Sequence, residues 1–109
     1  MSSTSNISPR SRTHKYQFAG SVWIYPGLGG WHFVTLDKAL SADIKAVAHT
    51  YGAGFVRVRA TIGETSWETA LFPHSASKAY LLSIKQSVRK KESILAGDDV
   101  VVEVVLLSK

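Results

Sequence analysis

Lys85 and Arg89 are four residues apart, so on a helix they share one face. Lys78, Lys90 and Lys91 add positive charge nearby, and Glu92 alone opposes it. That set suits a cradle for phosphate or carboxylate, in which an arginine fork can take two oxygens at once. The competing reading is a solvated basic helix with Arg89 tied to Glu92 or Asp98. Arg57 and Arg59 fall on the polar side of an alternating stretch. They offer either a second basic strip joining Lys85 and Arg89 or cross-strand partners for Glu68 or Glu103. Trp31 and Trp67 offer flat faces on which a ligand or base could stack, although tryptophans are also frequent in cores. Trp67, beside Arg59 across a hairpin, is the more telling of the two.

Other chemistries find little support. His14, His32, His49 and His74 are scattered without a zinc spacing, and there is no cysteine. No metal and no cofactor is expected. Pro26 to Gly30 lacks the Lys-Ser/Thr of a phosphate loop and reads as a hairpin turn. No serine sits in a nucleophile elbow, and Asp98-Asp99 suits a polar turn better than a catalytic dyad. The chain is not expected to be an enzyme.

These side chains need a scaffold, and 109 residues suit one domain. Residues 1–15 are polar and Ser-rich, with Arg10, Arg12 and Lys15 and no acid. They read as a disordered basic leader, because too little apolar surface is present to offset ordering. Of the 13 basic residues, 10 remain over 16–109 against 8 acidic ones, so the domain itself is only mildly basic. No apolar run reaches the roughly 20 residues of a membrane span, and there is no secretory signal. A cytoplasmic location is expected, with no membrane contact.

From Tyr16 to Ile24 apolar residues recur at period two, which predicts a half-buried strand. Trp31 to Leu36 predicts another. Leu40 to Tyr51 shifts to helical spacing, with Ser41 as N-cap and Gly52 and Gly54 as the stop. Phe55–Ile62 and Trp67–Phe72 read as a hairpin, and Ala79–Ile84 as a further strand. Gln86–Lys91 reads as a short helix. Val100–Leu107 reads as a central strand buried on most of both faces.

The stretch from Trp31 to Ile62 matches the stretch from Ala79 to Leu107 in pattern. Each has a strand, a helix, a Gly-containing turn and an alternating strand. Phe33-Val34-Thr35-Leu36 corresponds to Leu81-Leu82-Ser83-Ile84, and Val56-Arg57-Val58 to Val100-Val101-Val102. Two such halves, related by a pseudo-two-fold axis, would close their open edges on each other. A mainly β, single-chain barrel of six to seven strands with two short helices is therefore expected.

GFVRVRATIGETSWETALFP followed by YLLSIKQSVRKKESILAGDDVVVEV resembles domain-of-unknown-function family 1905 over about residues 16–107. Phe18-x-Gly20 and Trp31-x-Phe33-Val34-x-Leu36 fit as well. Ser83, Ala70 and Ser93 depart from the Pro, Ser and Gly usual there. The resemblance implies a double-split β-barrel and kinship with the swapped-hairpin DNA binders of the AbrB and antitoxin type. It also implies a link with bacteriocin protection, through fused relatives. Three functions follow as expectations: a module binding a small anionic ligand through Arg57, Arg59, Trp67, Lys85 and Arg89; a nucleic-acid binder; or a protein-interaction module. The expected state is a monomer or weak dimer.

Overall fold

The structure is a computed structural model, and it describes residues 14–107 apart from Leu28. Residues 1–13, most of the expected leader, lie outside the described residues. The elements run β1 (Lys15–Ser21), β2 (Trp23–Ile24), β3 (His32–Thr35), α1 (Lys38–Val47), β4 (Thr50–Tyr51), β5 (Phe55–Ile62), β6 (Thr65–His74), β7 (Ala79–Ser83), α2 (Gln86–Glu92) and β8 (Asp99–Leu106). The eight strands form one curled, half-barrel sheet in the order β1-β8-β5-β6-β7-β3-β2, with the two-residue β4 paired to β5. Lys15, expected in the leader, already pairs with Val105. No helix among the described residues is long and apolar enough to cross a membrane.

β1 and β2 are successive pieces of one extended run, interrupted only at Val22. The first piece pairs with β8 and the second with β3, so a single run supplies both ends of the strand order. β6 behaves alike: residues 65–71 pair with β5 and 71–74 with β7. The pivots Val22 and Leu71 are both buried. Exchanging the run β1–β2 with β6, β3 with β7 and β5 with β8 returns the same ring of neighbours. This is the symmetry that the sequence repeat predicts.

The register makes the axis visible. Val34 pairs with Leu82, with Phe33↔Ser83 and Thr35↔Leu81 on either side. Two backbone bonds then mirror one another. Leu36 N–H donates to the Tyr80 carbonyl at 3.0 Å, and Ile84 N–H donates to the His32 carbonyl at 2.9 Å. On the opposite wall Ala60 pairs with Val104. All four residues of these two pairs are fully buried, as an axis through the core requires. The helices follow the same rule. Asp37 (φ −72°, ψ 163°) opens α1 and Lys85 (φ −70°, ψ 161°) opens α2.

Several local expectations are corrected. α1 starts at Lys38, not Leu40, because Asp37 is the cap and accepts from Leu40 N–H at 2.7 Å. Ser41 is instead buried, and its Oγ accepts from the Tyr80 N–H at 3.0 Å. The helix stops at Val47, and Tyr51 lies in β4, exposed. Ile24 keeps the inward parity of Tyr16, Phe18 and Val22 but is exposed, since the run turns past Val22 toward β3. β8 is central but alternates, with Val101 turned outward.

The strand buried on both faces is β7. Its inner face adds Tyr80 and Leu82 to the core. Its outer face lies under aromatic rings. Phe33 on β3 and Phe72 on β6 meet at 6.0 Å although β7 runs between their strands. Trp23 extends this layer through Phe33, and Trp31 stacks on Phe33 at 5.9 Å. Leu81 is buried beneath it.

Two backbone positions give direct tests. Gly20 on β1 passes so close to β3 that an added Cβ would lie 2.9 Å from Val34 Cγ1. Gly20→Ala is expected to lower unfolding free energy by about 1–2 kcal/mol in urea titration, because the added methyl must displace a buried side chain. Ser93 ends α2 in the left-handed region at φ 56°. Ser93→Gly is expected to raise stability by about 0.5–1 kcal/mol in the same assay, since glycine has no Cβ to strain there.

Candidate functional site

Arg57 and Arg59 project from β5 beside Glu68 on β6, because their register partners there are Ala70 and Glu68. Both guanidinium groups reach one carboxylate, Arg57 to Oε1 and Arg59 to Oε2, each at 3.3 Å. All three side chains are about half exposed. Lys15 is similarly engaged with Glu103 at 3.1 Å. Two of the expected ligand-binding arginines therefore serve as cross-strand partners on the outer wall.

Trp67 pairs with Ala60, not with Arg59. Ala60 faces inward, so Trp67 does too, and it joins the core at 8 % exposure. Strand alternation thus puts Trp67 and Arg59 on opposite faces of the sheet, and Trp67 presents no open ring face beside the arginines. Its expected part in ligand stacking is not supported by this burial. Trp31 is the exposed tryptophan, at 48 %.

Lys85 and Arg89 do meet in one place. They line a cleft of about 270 Å³ together with Gly30, Trp31, His32 and Gln86. The cleft sits where the β2–β3 turn faces the start of α2. Arg57, Arg59 and Trp67 are not among its lining residues. Lys78, expected to add to this cluster, lines a different cleft beside α1. Lys90 and Lys91 lie in the last turn of α2, where cations complement the carbonyl end of the helix.

Arg89 is half-buried, and its Nε donates to the Ile84 carbonyl at 3.0 Å. This bond fixes the stem of the side chain, and the terminal amino groups of the guanidinium make no hydrogen bond among the described residues. The carboxylates expected to neutralise it are used elsewhere. Glu92 accepts from Thr65 Oγ1 at 2.6 Å and from Glu64 N–H at 3.3 Å, docking α2 on the β5–β6 turn. Asp98 accepts from Leu95 N–H at 2.9 Å. Among the described residues no acidic group forms an ion pair with Lys85 or Arg89.

Symmetry sharpens this contrast. Asp37 and Ser41 hold the positions in α1 that Lys85 and Arg89 hold in α2. Asp37 caps its helix and Ser41 ties it to β7. Lys85 makes no side-chain cap. A lysine there forgoes the roughly 1 kcal/mol that an Asp or Ser cap contributes. Trp31 and His32, also at the cleft, escaped the sequence reading as partners of Lys85. The signal available was the repeat itself, which sets the β2–β3 turn against α2.

Arg57→Ala and Arg59→Ala should each cost less than about 1 kcal/mol in thermal or urea unfolding, since exposed pairs are worth little. The loss should shrink further in 1 M salt, where surface charges are screened at about 3 Å.

No group of His, Asp or Glu among the described residues could hold a metal ion. No curated protein matches the chain. A family model matches residues 18–104, which include the sheet from Phe18 through Val104, both helices and the Lys85–Arg89 cleft. The chain accordingly belongs to the family described as domain of unknown function (DUF1905).

Proposed function

We propose that this protein is a small binding module that takes a carboxylate- or phosphate-bearing ligand in the cleft between the β2–β3 turn and α2. Arg89 supplies the forked donor and Lys85 a second, mobile charge. Trp31 supplies an exposed aromatic wall for a planar part of the ligand. The observation that carries this reading is the pair Lys85 and Arg89, which have no acidic partner among the described residues and stand where the first half of the barrel uses the structural residues Asp37 and Ser41. The size of the cleft, about 270 Å³, favours a small anion over a polymer.

The other reading is a nucleic-acid module of AbrB-like ancestry. It is less favoured, because Arg57, Arg59 and Lys15 are engaged by Glu68 and Glu103. Salt separates the two. Phosphate-backbone binding falls steeply with ionic strength, whereas a shaped cleft depends on it less.

The test is a thermal-shift and calorimetric screen of simple phosphates, dicarboxylates, nucleotides and short duplexes at low and high salt. A small anion should bind and persist in salt, and Arg89→Ala should weaken it at least tenfold. Lys85→Asp should weaken binding similarly while raising stability by about 1 kcal/mol, through a new N-cap. A duplex that binds and is released by salt would instead support the nucleic-acid reading. Binding unaffected by both variants would exclude this cleft.

A further inference from the structure

A second cleft, about 850 Å³, lies on the other side of the pseudo-two-fold axis. Here the β6–β7 turn faces α1, as the β2–β3 turn faces α2 in the smaller one. Lys38 and Lys45 come to it from α1, seven residues apart and so on one face of the helix. Lys78 and His74 come from the turn. No carboxylate is among its lining residues, and none of the three lysines forms an ion pair among the described residues. Small apolar residues, among them Ala42, Ala53 and Pro73, make up much of the remaining wall.

The conformation of Lys78 is the second observation. Its φ is 56°, in the left-handed region that costs an ordinary side chain about 1–2 kcal/mol. The position related to it by the pseudo-symmetry is Gly30, with φ 85°. One half of the barrel thus meets the demand of this turn with the residue that carries no strain. The other half meets it with a lysine. The turn is braced to hold that residue: Lys78 N–H donates to the His74 carbonyl at 2.9 Å, and Ser77 Oγ lies 2.8 Å from His74 Nδ1. Residues held in such conformations cluster at active sites and ligand clamps, and this one stands at the mouth of a cleft. The exposed aliphatic stem gains nothing from the core there, so the ammonium group is what the position supplies.

We infer that this cleft is a second binding site, specific for a small molecule bearing two or more linked phosphates, with Lys38, Lys45 and Lys78 as the phosphate-binding residues. Three ammonium groups without a counter-charge call for a ligand of high negative charge. The cleft volume falls in the range of about 300–1,000 Å³ typical of small-molecule sites. It is large for inorganic phosphate and suits a nucleoside diphosphate, whose base can lie against the small apolar wall. The site is independent of the Lys85–Arg89 cleft.

Calorimetric titration of the full chain with ADP, pyrophosphate and tripolyphosphate at 0.15 M salt tests it. ADP is expected to bind saturably and more tightly than orthophosphate. Lys78→Gly should keep or raise the melting temperature, because the strain is relieved, yet weaken ADP at least tenfold. Lys38→Ala should weaken it as well. No saturable binding by any of the three probes would overturn the inference. So would ADP affinity that survives Lys78→Gly, or that is lost only in Arg89→Ala.

Discussion

Two backbone hydrogen bonds, Leu36 N–H to Tyr80 and Ile84 N–H to His32, fasten the two halves of this chain across its axis. Each lies where a strand gives way to the segment that leads into a helix. Each therefore fixes a helix start relative to the strand of the opposite half. The Val34–Leu82 pair between them is fully buried, so water cannot compete for these bonds. Because the constraint is reciprocal, a shift of one register would move both helices and both clefts together. The placement of the charged side chains at the two helix starts depends on this pairing.

A scaffold with matching halves poses the same geometric problem twice, and the chain solves it differently each time. At the helix start the first half uses Asp37 for capping, and the second uses Lys85. At the strand entrance the first half uses Gly30, and the second uses Lys78. The first half follows the demands of stability at both positions, and the second departs from them at both. The departures are all cations, and they fall in two different clefts. The comparison is internal to the molecule: each half is a control for the other, with the same backbone and a different side chain.

Much of the barrel was legible because its signals are local or periodic. The alternation of Val56, Val58, Ala60 and Ile62 marks β5, and the pattern match between the halves identifies β3 and β7 as counterparts. What escaped depended on neighbours. Ser41 looks like a helix cap, but Asp37 lies four residues upstream with the better geometry, and Ser41 is recruited by β7. Val100–Leu107 is as apolar as a strand buried on both faces, yet β7 is that strand, because aromatic residues distant in sequence fold over it. The site was half legible. Lys85 and Arg89 were visible from helical spacing. The burial of Trp67 follows from the inward parity of Ala60, its partner in the hairpin, and the single-residue register of that hairpin is not set by composition. The left-handed φ of Lys78 is disclosed by no residue pattern.

The position of β8 has a consequence for the order in which the barrel can be made. It is the last strand in the chain, but it lies between β1, the first, and β5. On a ribosome, β1 emerges early and waits with its main ladder empty, held only by the short β2 pairing with β3. β5 waits as well, with one edge open toward the missing strand. The nascent half-barrel therefore carries two unsatisfied edges that are templates for other chains. Closure comes in one late step, when Asp99–Leu106 enters the gap and pairs on both sides. The topology that encloses β8 between β1 and β5 leaves both of those strands exposed until it is added.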